Sequence, residues 1–242
     1  MLQHHLQTKV HPMYRPLVFL PGLICDQRLW RDVIDGLSDT IAPMVADLRL
    51  DDTIKAMAAR TLSAAPDKFA LAGLSMGGYV ALEIMRQAPE RVTHLALLDT
   101  SARADTPERQ DTRRKGIAMV GQGKFIGVSR GLLGNLIAPH HLGTPLAGEV
   151  QAMSERVGQD VYIRQQNAIL SRIDSLPSLP AIAVPTLVGV GALDKMAPLD
   201  LAKEMASAIP HAELSVFPDA GHLPPMENPA PVIAAFKTLL AR

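Results

Sequence analysis

Residues 67–80 read Asp-Lys-Phe-Ala-Leu-Ala-Gly-Leu-Ser-Met-Gly-Gly-Tyr-Val. A short apolar run leads into Gly73-Leu74-Ser75-Met76-Gly77, and an apolar pattern with helical spacing follows at Val80, Ala81, Ile84 and Met85. The order is strand, tight turn, helix. A serine forced into such a turn projects its hydroxyl above the edge of a sheet. Gly73 and Gly77 let neighbouring segments approach that strained backbone. The helix begins at this point, so its unpaired N–H groups and positive dipole end face whatever the serine attacks. A bare Gly-x-Ser-x-Gly is a weak signal, and the bland reading is a glycine-rich turn with an idle serine. The flanking strand and helix patterns count against the bland reading and make Ser75 a candidate nucleophile.

A serine hydroxyl needs a base within hydrogen-bond reach. Of the eight histidines, His4, His5 and His11 lie in a polar lead. His94 opens an apolar strand and reads as structural. His140 and His141 are adjacent, but no second ligand pair has metal-site spacing. His211 sits in a turn. His222 stands in Phe217-Pro218-Asp219-Ala220-Gly221-His222-Leu223-Pro224-Pro225, after the last strand pattern and before a C-terminal helix. That position suits a general base presented at the carboxyl edge of a sheet.

The imidazole needs an acceptor that fixes its tautomer and stabilises the imidazolium. Asp194 follows the buried run Pro185-Thr186-Leu187-Val188-Gly189-Val190-Gly191, and Asp99 follows Leu95-Ala96-Leu97-Leu98. Both fall at carboxyl ends of strands. Asp194 is favoured, because Gly-x-x-Asp reads as a positioned turn, whereas Asp99 with Thr100 and Ser101 also reads as a helix or turn cap. An oxyanion site requires two N–H donors. Met76, after the nucleophile, supplies one. Leu23, in the Pro21-Gly22-Leu23 loop after the strand at 17–20, supplies the other, with Gly22 permitting the turn. Cys25, the only cysteine, reads as a small buried hydrophobe rather than a rival nucleophile.

These pieces together resemble the α/β-hydrolase superfamily over nearly the whole chain, from Leu17 to Leu240. The most specific segments are Gly-Leu-Ser-Met-Gly-Gly, Pro-Thr-Leu-Val-Gly-Val-Gly-Ala-Leu-Asp and Asp-Ala-Gly-His-Leu-Pro-Pro-Met-Glu-Asn-Pro. The order Ser75, Asp194, His222 matches that superfamily. The likeness is greatest to small bacterial carboxylesterases and lactonases with a helical cap, many of them named for removing a methyl group from a pimeloyl carrier conjugate. One departure stands out: many relatives carry His-Gly at the oxyanion loop, where this chain has Pro21-Gly22. Serine at position 75 argues against the dehalogenase branch, whose nucleophile is aspartate. The resemblance implies an acyl-enzyme hydrolase of small, aliphatic esters with no metal or organic cofactor. Lactonase, thioesterase, carbon–carbon hydrolase and peracid chemistry use the same machinery, and a silent receptor is the reading of another class.

The alternation of patterns predicts an α/β fold with a mostly parallel sheet covered on both faces. Strands are expected near 17–20, 43–47, 68–73, 92–98, 186–190 and 213–217. Helices are expected near 27–37, 53–65, 76–88, 199–208 and 229–240. The stretch 102–176 interrupts the alternation with helical spacing alone (Ile117, Val120, Phe125; Val150, Met153, Val157; Val161, Ile169, Leu170). It reads as a helical cap inserted in a core formed by 15–101 and 177–242. Residues 1–14 read as a loose lead without the plan of a signal peptide. From Ser101 to Ile173 the chain holds ten Lys or Arg against six acids. Most such charges face solvent, but an inward arginine could grip a substrate carboxylate, and Arg164 is the candidate. A net charge of +0 gives no footprint for nucleic acid. No apolar run is long enough to span a membrane. With one cysteine, a reducing cytoplasm is the simplest expectation.

Overall fold

A computed structural model describes residues 14–122 and 127–242. The lead segment, with His4, His5 and His11, and the cap position Phe125 lie outside the described residues. The sheet is six-stranded, in the order β2-β1-β3-β4-β5-β6, and every pair is parallel. The strands are β1 (Arg15–Leu20), β2 (Ile41–Val45), β3 (Phe69–Leu74), β4 (Val92–Leu98), β5 (Thr186–Gly191) and β6 (Ala212–Phe217). Five helices cover the sheet: α1 (Arg31–Gly36), α2 (Ile54–Ala64), α3 (Met76–Gln87), α8 (Leu199–Ala208) and α10 (Pro229–Leu240). Between β4 and β5 lie α4 (Pro107–Gly121), α5 (Arg130–Leu136), α6 (Pro145–Val157) and α7 (Gln159–Leu170), with no strand among the described residues. A one-turn helix, α9 (Pro224–Glu227), precedes α10.

The two-residue period of the strands divides their side chains between two cores. Leu17, Phe19, Ala72, Leu74, Ala96 and Leu98 face a cluster with α1 and α10, where the Phe19 and Trp30 ring centroids lie 5.0 Å apart. Val18, Leu20, Leu71, Leu95, Leu97 and Val188 face a second cluster with α2, α3 and α8. Burial on both faces is what a parallel sheet under crossover helices requires. Helix starts follow local chemistry. The hydroxyls of Thr53, Thr106 and Ser129 accept from the backbone N–H of Ala56, Arg109 and Leu132, satisfying donors that the helix leaves open.

Three boundaries differ from the sequence reading. β2 begins at Ile41, so Pro43 falls inside it, paired with Leu17. β2 is the outer strand of the sheet, where a residue without an N–H costs no ladder bond. The helix expected near 27–37 is a short 3₁₀ turn, Gln27–Leu29, followed by α1. Finally, α9 occupies a stretch read as loop.

At the β3–α3 turn backbone packs directly against backbone. A Cβ on Gly77 would stand 2.1 Å from the Leu20 carbonyl oxygen, and one on Gly73 would stand 2.3 Å from the Gly77 carbonyl oxygen. Both obstacles are backbone, which cannot rotate away. Gly77→Ala is therefore expected to destabilise the protein by about 3 kcal/mol or more, read as a fall in the denaturation midpoint at unchanged slope.

Candidate active site

Four strands deliver their following residues to one edge of the sheet, the carboxyl edge where open α/β sheets hold ligands. β3 delivers Ser75, β4 Asp99, β5 Asp194 and β6 His222. Ser75 has φ 55 and ψ −115, a conformation that side chains other than hydrogen seldom adopt. Its N–H donates to the Leu98 carbonyl at 3.0 Å. Its carbonyl accepts from the Thr100 hydroxyl at 2.7 Å and from the Gly78 N–H at 2.9 Å. The turn is thus held from β4 as well as from its own helix.

His222 Nε2 lies 3.0 Å from Ser75 Oγ, and His222 Nδ1 lies 2.8 Å from Asp194 Oδ2. The other Asp194 oxygen accepts from the N–H groups of Met196 (2.7 Å) and Ala197 (3.1 Å). Burial alone would push the carboxyl of Asp194 above its ordinary pKa. The His222 charge, its hydrogen bond and the two amides outweigh burial and hold the carboxyl below its ordinary value. The ring of His222 is therefore bonded on both nitrogens, one to a carboxylate and one to a hydroxyl. An alcohol so placed can lose its proton to the imidazole as it attacks.

The sequence reading left Asp99 as a rival acceptor. The structure places it beside the pair without joining it to His222 by a hydrogen bond. Asp99 Oδ1 accepts from the Gly191 N–H at 2.8 Å, whereas Oδ2 is buried with no partner. Burial, then the nearby Asp194 charge, pushes its carboxyl well above the ordinary value. Asp99, Asp194 and His222 each bring a ligand-type atom within 4.8 Å of the others. Asp194 there already accepts three hydrogen bonds, from His222 and two amides.

Of the expected oxyanion donors, neither Leu23 N–H nor Met76 N–H is given a backbone acceptor among the described residues. Leu23 flanks the same cavity as Ser75. The left-handed residue of its loop is Ile24, φ 52, not Gly22. Ile24 is held there because its N–H donates to Gln165 Oε1 at 2.8 Å, while Gln165 Nε2 reaches the Leu48 carbonyl at 3.1 Å. Gln165 is fully buried on α7, 141 residues from its partner, and no local pattern could have singled it out.

A cavity of about 90 Å³ opens on Ser75 and His222. Core residues Leu23, Ile24, Cys25 and Leu74 form one side, and Val128, Leu132, Leu136, Val150 and Met153 of the inserted segment form the other. Among the described residues no lysine or arginine lines it. Arg164 does not face it: its Nε donates to the Arg49 carbonyl at 2.8 Å on an exposed surface. Four other arginines of the segment are likewise engaged, Arg113 and Arg172 with the buried Asp105, Arg103 with Glu204, and Arg156 with Asp26. Cys25 lines the cavity as a neutral thiol. Burial, then the Asp26 charge, pushes it up to about 12, which removes the thiolate a nucleophile needs.

The model of the alpha/beta hydrolase fold family matches residues 36–229. The chain belongs to the α/β-hydrolases. Pimeloyl-[acyl-carrier protein] methyl ester esterase of Nitrosomonas europaea is 25% identical, covering 92% of this chain and 94% of that protein. A thermophilic esterase from Thermogutta terrifontis superposes with a TM-score of 0.87 at 31% identity, covering 94% of this chain and 89% of the other. The enol-lactonase of Burkholderia xenovorans LB400 shares the fold, with a TM-score of 0.84 at 22% identity over 95% and 91% of the two chains. No described helix of this α/β-hydrolase is long and apolar enough to cross a membrane.

Asp99 has a pH signature. Its folded value stands above its unfolded one, so its contribution to stability is full below the unfolded value and is lost as pH rises through the folded value. Asp99→Asn removes that loss while its oxygen can still accept from Gly191. The melting temperature of the variant minus that of the native protein is expected to increase from about pH 4 to about pH 8, measured by calorimetry across that range.

Proposed function

We propose that this α/β-hydrolase cleaves small, uncharged carboxylic esters through an acyl-enzyme, with Ser75 as nucleophile, His222 as general base and acid, and Asp194 as the group that orients the ring. The observation that carries this reading is the chain of hydrogen bonds from Ser75 Oγ through His222 to Asp194, at 3.0 and 2.8 Å. Esterase-named relatives point to the same bond class.

In the first step Ser75 Oγ attacks the ester carbonyl carbon and its proton passes to His222 Nε2. The charge that develops on the carbonyl oxygen is met by the N–H groups of Leu23 and Met76, each worth about 3–4 kcal/mol in transition-state stabilisation by analogy with a removed oxyanion donor. His222 then gives the proton to the departing alkoxide, which leaves as the alcohol. In the second step water attacks the acyl carbon, its proton passes to His222, and the acid departs as Ser75 regains its proton. Asp194 stays ionised throughout and stabilises the imidazolium.

The inserted helices act as a cap. Their apolar residues complete the cavity beside Ser75, and excluding water there strengthens the fixed dipoles around the oxyanion. The apolar lining supports a short aliphatic acyl group. A carboxylate at the far end of that group would be buried with no cation among the described lining residues, which is costly.

Two measurements test the proposal. Ser75→Ala should fold normally and lose esterase turnover and fluorophosphonate labelling together; near-native rates in the folded variant would refute the assignment. On a panel of p-nitrophenyl and methyl esters, short neutral acyl chains should react fastest. Adding a terminal carboxylate at equal length should lower kcat/KM by at least about a hundredfold, the equivalent of a ~3 kcal/mol burial cost. Lactones outrunning simple esters by orders of magnitude would replace the ester class while leaving Ser75 in place.

A further inference from the structure

We infer that Glu227 is a positioning residue for His222: its carboxylate pins the base-bearing loop to the inserted cap segment that walls the cavity, so that the base and one wall of the acyl pocket form a single rigid piece. This assignment rests on the reading of His222 as the base.

Glu227 is 8% exposed and forms no salt bridge among the described residues; its partners there are backbone amides. Oε1 accepts from the N–H of Gly221 and of Leu223, each at 2.9 Å. Oε2 accepts from Gly221 at 2.9 Å and from Ala138 at 2.6 Å. The amides immediately before and after His222 are thus held by one carboxylate. The amide of His222 itself donates to the Leu136 carbonyl at 2.8 Å. Leu136 ends α5 and Ala138 follows two residues later, 89 residues before Glu227, and Leu136 lines the cavity with His222 and Leu223.

The two segments touch through backbone. A Cβ on Gly221 would come within 2.9 Å of the Ile137 carbonyl carbon and 3.0 Å of the Ala138 nitrogen. On the other side, a Cβ on Gly191 would fall 1.8 Å from the Gly221 carbonyl oxygen. The loop is therefore clasped between the end of β5, from which Asp194 follows, and the inserted segment. Three converging N–H dipoles favour an acceptor that offers lone pairs on both ends. Glutamate does so. Glutamine cannot, because its NH₂ end would confront at least one amide N–H. The turn of α9 places Glu227 five residues after His222, which lets a side chain of this length fold back onto its own loop.

The test uses Glu227→Gln, with the number of intact sites counted by a fluorophosphonate titrant. Folding is checked by circular dichroism, and the downfield proton resonance of the His222 Nδ1–H···Asp194 hydrogen bond reports ring placement without turnover. The expected result is a kcat per titrated site lowered by about tenfold to a hundredfold, as a misplacement of order 1 Å produces. KM should change little, and the downfield resonance should shift or broaden. A native kcat per site and an unaltered resonance, with only a lower melting temperature, would reduce Glu227 to a structural role and overturn the inference. If native protein and variant both fail on every ester while the resonance still moves in the variant, the positioning holds and the ester reading falls. Should Glu227→Gln not fold, Glu227→Asp is read by the same criteria, since it keeps the charge but lacks the reach to Ala138.

Discussion

The chemistry of this chain depends on a backbone conformation that a serine resists. At φ 55 and ψ −115, Ser75 holds a geometry that costs on the order of 1–3 kcal/mol. It persists because the surroundings leave no other place for it. The Leu98 carbonyl and the Thr100 hydroxyl grip the residue from the neighbouring strand. Gly73 and Gly77 bring strand, turn and helix closer than any side chain would allow. Relaxation of that turn would withdraw the hydroxyl from the imidazole and tilt the start of α3 together. The strain is thus maintained by hydrogen bonds and close packing, each of which the fold needs in any case.

The same edge of the sheet gathers three buried carboxyl groups with different tasks. Asp194 is held ionised by the ring and amides it faces. Asp99, a few ångströms away, has its carboxyl pushed well above the ordinary value by burial, then by the charge of Asp194. Glu227 meets backbone N–H dipoles alone. Like charges packed this closely cannot all ionise at low cost. The arrangement therefore separates them by environment: Asp194 faces a ring and two amides, Asp99 has one amide partner and an unpaired oxygen, and Glu227 is bonded by main chain.

How much of this could be read from the chain differs by the range of the interaction. Strands and crossover helices follow from local periodicity, and the Ser75 turn from a five-residue pattern in strand–helix context. His222 and Asp194 were legible because each follows a strand pattern, and parallel strands deliver their ends to one edge. Failures share one cause. The strand expected from 43 starts two residues earlier, at Ile41, because Pro43 can sit inside β2 only through its outer place in the sheet, which is a tertiary fact. Ile24, not Gly22, takes the left-handed turn because a glutamine on α7 holds its N–H. Arg164 was chosen from charge counts, and charge counts carry no direction; its guanidinium reaches a surface carbonyl. Glu227 lay inside a motif already noticed, but its role depends on Ala138, far away in sequence.

The wall of the cavity and the groups beside Ser75 are encoded in different stretches of chain. Val128, Leu132, Val150 and Met153 come from the insertion between β4 and β5, whereas Ser75, Asp194 and His222 come from the sheet. Substitutions among those four apolar positions can therefore reshape what the enzyme accepts while sparing its reactive core, which makes them a natural library for altered selectivity. Leu136 is the exception. Its carbonyl holds the His222 amide, so at that single point specificity and reactivity are expected to evolve as one trait.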